Sequence, residues 1–164
     1  MNDGYRALCI VPDKAIIKIG RKKFPYVRFL ESTAEQFSIN ERYDVALMVE
    51  SYQYFSDKPG ALSNISRHLS GGGCVIFVEE FSLIPDGLPR ESDLVSLMES
   101  INYYPESRVD VSELVAPSCR YIYEQLEQFP EGKEFAKLWR DNEEKYKAGQ
   151  RHYLLLRFMP KAVA

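Results

Sequence analysis

Short apolar runs alternate with amphipathic stretches along this chain. Residues 7–11 (ALCIV), 43–49 (YDVALMV) and 74–78 (CVIFV) are almost unbroken apolar blocks of strand length, the pattern of strands buried on both faces of a parallel sheet. Residues 26–30 read as a further short strand and 153–158 as the last one. A strand over 103–109 is confined to an edge or a bulge by Pro105. Between the blocks, Asp13 caps a helix that runs to about Lys23 and is closed by Phe24-Pro25. Asp57 caps a second, with Pro59 in its first turn, Leu62, Ile65 and Leu69 on one face, and Gly71-Gly72-Gly73 as its stop. Leu94, Leu97, Met98 and Ile101 recur at helical spacing. Pro117 is placed as a first-turn residue of a helix reaching about Gln128. Pro130 and Glu131 open another, with Phe135, Leu138, Trp139 and Tyr146 on one stripe and Gly149 as terminator. A helix is poorly signalled over 34–42. Strands alternating with helices give an α/β, doubly wound sheet in a single domain over residues 1–164.

Composition narrows the classes. The formal net charge of −3 argues against nucleic acid as a partner, which would call for a clustered basic face. The Arg21-Lys22-Lys23 cluster falls at a helix end, where cations complement the dipole. No apolar run approaches the roughly 20 residues of a membrane span, and residues 1–6 are no signal peptide. Three dispersed cysteines and two histidines show no zinc-ligand spacing. Cys9 and Cys74 fall inside apolar runs, as small buried hydrophobes do. The expectation is no metal, no membrane, and a reducing, cytoplasmic setting.

Several stretches, in order, resemble motifs of the class I S-adenosylmethionine (SAM) dependent methyltransferases. Residues 7–25 are similar to the family's second strand and helix, and Phe29-Leu30-Glu31-Ser32-Thr33-Ala34-Glu35 to the turn that frames the adenine. Residues 43–57 resemble strand four and its loop, and Arg67-His68-Leu69-Ser70-Gly71-Gly72-Gly73 the approach to strand five. Asp110-Val111-Ser112 with Pro117 is similar to the stretch after strand six. Glu50-Ser51 further resembles the subgroup of tocopherol and natural-product methyltransferases. The resemblance implies a Rossmann-like methyltransferase sheet, SAM as cofactor and a small-molecule acceptor.

The resemblance starts at the family's second strand. The first strand, which lies centrally in the sheet, and the glycine-rich loop that holds the methionine end of SAM are not matched. The expectation is therefore an incomplete sheet, with SAM binding weak or lost. Residues 7–11 and 43–49 then pair directly, or a partner chain or second copy inserts between them, or the sequence is an incomplete product of a longer reading frame, the most economical of the three.

In an open α/β sheet, ligands sit beyond the carboxyl ends of the strands. By position, Val11, Thr33, Ala34, Glu35, Val49, Glu50 and Ser51 are the cofactor-binding candidates. Val11 stands where the family has an acidic residue that accepts from the ribose. Valine cannot accept, and losing a charged acceptor costs about 1.5–3 kcal/mol, roughly ten- to a hundred-fold in affinity; completing a buried strand is the plainer role for it. Glu80 and Tyr54 are the acid–base candidates, Glu80 by its resemblance to the acidic residue that helps deprotonate the acceptor. Tyr54 qualifies only with a pKa well below its usual ~10. A solvated carboxylate and an aromatic pocket wall are the plainer alternatives. His68 and His152 are assigned no catalytic part. Two functions follow: SAM-dependent methyl transfer to a small molecule, or a non-catalytic relative acting as a binding or partner subunit, with association through exposed strand edges.

Overall fold

The computed structural model describes residues 4–162. The strands are β1 (Leu8–Val11), β2 (Arg28–Glu31), β3 (Tyr43–Val49), β4 (Leu69–Ser82), β5 (Tyr103–Asp110) and β6 (Arg151–Pro160). The helices are α1 (Lys14–Lys23), α2 (Lys58–Arg67), α3 (Glu91–Ser100), α4 (Ser112–Leu126) and α5 (Lys133–Lys147). The expected α/β architecture of strands alternating with helices is therefore present.

Its sheet comes in two pieces. β1 and β2 form a parallel pair, and β3-β4-β6-β5 a separate four-stranded sheet in which β3 and β4 are parallel and β6 runs antiparallel to both its neighbours. β1 and β3 do not close up into one sheet, so among the described residues each keeps a free edge. The smaller piece is fastened to the larger through the segment after β2. The Asn64 side chain on α2 donates to the carbonyls of Ala34 (3.1 Å) and Phe37 (2.9 Å), Phe37 packs on His68, and Arg28 pairs with Glu41.

On the larger sheet, side chains alternate between two faces as the period of two requires. Val75, Phe77 and Phe81 of β4 and Leu154, Leu156 and Phe158 of β6 pack with Leu62 of α2 and with Leu94 and Met98 of α3 in the main core. The opposite face carries Tyr153, against Ala116 and Cys119 of α4 and Trp139 and Tyr146 of α5. This second cover is partial. Val45, Leu47 and Val49 of β3 are 49%, 61% and 54% exposed, a row of apolar side chains beside an unpaired edge.

Asp13 caps α1 through the amides of Ala15 and Ile16, and Asp57 caps α2 through that of Gly60. Both caps follow the expectation. β5 lies at the sheet edge with a register irregularity between Pro105 and Ser107, because proline cannot donate to the ladder.

Three expectations need correction. The glycine run does not stop α2, which ends at Arg67 with His68 as its cap. Gly71–Gly73 instead lies within β4, where the register with β3 jumps from Tyr43–Leu69 to Val45–Cys74 and residues 70–73 loop out. A Cβ on Gly73 would stand 3.1 Å from the Ser70 carbonyl and 3.2 Å from that of Asp44, so a side chain there would press on both carbonyls of the loop-out. Pro117 sits inside α4 rather than in its first turn, since the helix starts five residues earlier at Ser112. On α5, Phe135 and Leu138 point to solvent, and only Trp139 and Tyr146 of the expected stripe join the core. Gly149 does terminate that helix, at φ +64°.

Candidate functional site

The turn after β2 ties the carboxyl ends of β1 and β2 to the segment that follows β3. The amide of Ser32 donates to the Val11 carbonyl (3.2 Å), joining the ends of β1 and β2. From there Thr33, Ala34 and Glu35 turn toward the start of α2. Glu35 Oε1 accepts from the Ser56 amide (2.9 Å), the Ser56 hydroxyl (3.1 Å) and the Asp57 amide (3.3 Å), so it serves the N-terminus of α2 in the way that suits a carboxylate there. Partial burial works against its ionisation. Hydrogen bonds from its own backbone, the Thr33 hydroxyl, Asp57 and Ser56 outweigh that and bring the pKa to about 2.

At the end of β3 the chain makes a strained turn. Glu50 has φ +47°, a left-handed conformation that non-glycine residues seldom adopt. Its amide donates to the Val78 carbonyl (3.0 Å), and its Oε1 accepts from the Tyr153 hydroxyl (2.7 Å). The next two amides, of Ser51 and Tyr52, donate to Glu79 Oε1 at 2.7 and 2.9 Å. Glu79 is 1% exposed, and burial raises its pKa, with the two amides and the nearby Glu50 acting in opposite directions on it. Burial and the Glu50 carboxylate likewise raise that of Tyr153.

The two acid–base candidates fall in different surroundings. Tyr54 ends the short 3-10 turn Tyr52–Tyr54 and is 78% exposed. Glu80 points to the face opposite Glu79 and bonds Arg151 Nη1 (3.0 Å). That guanidinium also binds Asp86 (2.8 and 3.0 Å) and Asn142 (2.7 Å). Glu80 is thus part of a largely buried ion network. Val49 points outward from β3, and Val11 offers only its carbonyl.

Two contributors at the rim were not assigned from sequence. Glu79 was legible in principle, since alternation along β4 places it with Phe77 and Phe81. Tyr153 carried no local signal, because its partner Glu50 is 103 residues away. Close by, His152 Nδ1 lies 2.9 Å from Asp110 Oδ2, and the Ser112 hydroxyl binds the other carboxylate oxygen. Desolvation opposes ionisation of Asp110, but Ser112 and His152 prevail and lower its pKa to about 2. Grooves of about 480 and 450 Å³ run between α4 and α5 and along α1; neither is lined by the candidate residues.

A family model described as a methyltransferase domain matches residues 1–77. Demethylmenaquinone methyltransferase of Chlorobaculum tepidum is 25% identical over 127 residues, covering 75% of this chain and 49% of that protein. The chain is thus similar in sequence to methyltransferases, over residues 1–77 to the domain model. An O-methyltransferase of Brevibacillus brevis, solved with S-adenosylhomocysteine (SAH), superposes with a TM-score of 0.76 at 14% identity, over 95% of this chain and 59% of that one. A cyclopropane synthase of Mycobacterium tuberculosis gives 0.81 at 13% identity, over 96% and 72%. The chain spans about half the length of the curated relative it matches.

The rim residues suit SAM only in part. Val11 has no side-chain acceptor for a ribose. Asp13 and Glu35 are engaged as helix caps, and the Ser51 amide is taken by Glu79. The second oxygen of Glu50 and the exposed ring of Tyr54 remain open to a ligand.

Proposed function

We propose that this chain carries the adenosine-side rim of a SAM-dependent methyltransferase acting on a small-molecule acceptor. The observation that carries the reading is the linkage beyond the strand ends: Ser32 joins β1 to β2, and Glu35 in the turn after β2 binds Ser56 and Asp57 in the segment after β3, which begins with the strained Glu50 turn. The family match and the SAH-containing structural relative support the cofactor class. Fold alone does not fix the reaction, so the role rests on the rim residues. Thr33 and Ala34 would meet the adenine, and the Glu50 carboxylate would accept from a hydroxyl or ammonium of the ligand.

A second reading, a non-catalytic binding or partner subunit, is favoured by one observation. The free edges of β1 and β3, with Val45, Leu47 and Val49 exposed, suit a further strand from a partner chain or second copy. Among the described residues no helix is long and apolar enough to cross a membrane. A cytoplasmic setting belongs to the same proposal and is supported by Cys9, Cys74 and Cys119 all being free thiols.

Calorimetric titration of the chain with SAM and with SAH separates the readings. Weak binding of both, at a Kd above about 100 μM (a binding free energy near −5.5 kcal/mol), is expected of the bare rim. Heat indistinguishable from buffer at millimolar ligand would leave the partner-subunit reading. Low-micromolar affinity would contradict the partial fit argued above.

A further inference from the structure

We propose that Glu79 is a positioning residue, holding the Glu50 turn so that the Glu50–Tyr153 pair faces the ligand side of the rim. Among the described residues no cation lies within ion-pairing distance of Glu79, and its partners are the amides of Ser51 and Tyr52. Burying a carboxylate is expensive unless strong hydrogen bonds compensate, and charge-assisted bonds from main-chain amides are of that kind. An ordinary turn needs no such group. This one holds a non-glycine residue in a left-handed conformation, which costs on the order of 1–3 kcal/mol and persists only where the surroundings over-determine it.

The grip comes from both faces of the sheet. Glu79 acts from the side of the main core, alongside Phe77 and Phe81, and Tyr153 from the side of α4 and α5. Between them the Glu50 amide is fixed to Val78. Glu50 Oε1 is taken by the Tyr153 hydroxyl. Its Oε2 has no hydrogen-bond partner among the described residues, which leaves it to a ligand donor. Glu79 touches no ligand in this scheme and acts through Glu50.

The proposal rests on the rim being the ligand site, so its test reads geometry and binding separately. In the full chain labelled with 13Cζ-tyrosine, the Tyr153 resonance is assigned by its loss in Tyr153→Phe. Wild-type Tyr153 is expected to titrate above the ordinary phenol range, because it is desolvated and bonded to Glu50. Glu79→Leu releases the turn and is expected to return Tyr153 toward about 10. Glu79→Gln keeps an oxygen for both amides but removes the same nearby charge, so it is expected to lower Tyr153 by less than Glu79→Leu does, and equal shifts in the two variants overturn the proposal. An unchanged Tyr153 titration in folded Glu79→Leu overturns the proposal. Should that variant not fold, amide exchange in the wild type carries the test: slow exchange at Ser51 and Tyr52 supports the clamp, and exchange as fast as in a solvated turn overturns it. For SAH, Glu79→Leu is expected to weaken binding about tenfold, some 1.4 kcal/mol, and Glu79→Gln less than twofold. Equal losses in both variants overturn the proposal. If Tyr153 responds as described while the wild type binds no SAH, the positioning stands and the methyltransferase reading falls.

Discussion

Glu35 and Asp110 occupy equivalent situations beside two different strands, β2 and β5. Each is a carboxylate at or just beyond a strand's carboxyl end and binds the first residues of a helix or the segment leading into it, and each has its pKa lowered to about 2. A folded-state value below the ordinary one means stability that is present above the unfolded pKa and lost as pH falls through the folded one. For both groups that window runs from about 4 down to about 2, so urea midpoints are expected to hold near neutrality and fall across it. Glu35→Gln removes the charge but keeps an acceptor for Ser56 and Asp57. The expected cost is about 0.5–1 kcal/mol at pH 7, with a shallower loss of stability on acidification. An unchanged acid profile in that variant would show that Glu35 contributes nothing to it. The sequence placed Glu35 at the rim, and the structure does too. What sequence could not give was its engagement, since Ser56 and Asp57 lie more than twenty residues away.

Among the elements, legibility followed how local the cause was. Asp13 and Asp57 announced their helices because a cap acts within three residues, and Pro105 announced an edge because its missing N–H is a property of one position. The glycine run misled for the same reason. Glycine commonly ends a helix, but here the chain had already left α2, and the glycines serve a loop-out whose need is set by β3 across the sheet. The stripe on α5 failed halfway because spacing shows that two faces exist without showing what covers each. Pro117 is the informative case. It follows α4's first turn, where it removes a helical hydrogen bond and its ring crowds the preceding turn. Pro117→Ala, at an exposed site, is therefore expected to raise stability by about 1–3 kcal/mol, read as a higher denaturant midpoint with the slope unchanged. A destabilised variant would mean that the proline's ring makes packing contacts worth more than the lost bond.

For the whole molecule, the order of elements and the class of fold were legible from apolar blocks and the motifs between them. The gap in the sheet was legible too, from the point at which the resemblance begins. Direct pairing of β1 with β3 was one of the outcomes weighed, and the structure does not adopt it. β3 consequently exposes both a hydrogen-bonding edge and an apolar row, a combination that favours edge-to-edge association. Sedimentation velocity is expected to show concentration-dependent association of the wild-type chain. Leu47→Lys, which puts a charge in the middle of the exposed row, is expected to shift the chain toward monomer. Association of equal strength in this variant would move the interface away from β3.

The Asn64 carboxamide spans this divide, one side chain holding two carbonyls of the smaller piece against α2. With so few fastenings, β1, α1 and β2 form a natural unit of local opening. That unit carries Val11 and leads into the Thr33–Glu35 turn, while the Glu50 turn belongs to the other piece. A ligand touching both would act as a brace across the seam, and much of its binding energy would go into ordering the protein rather than into affinity.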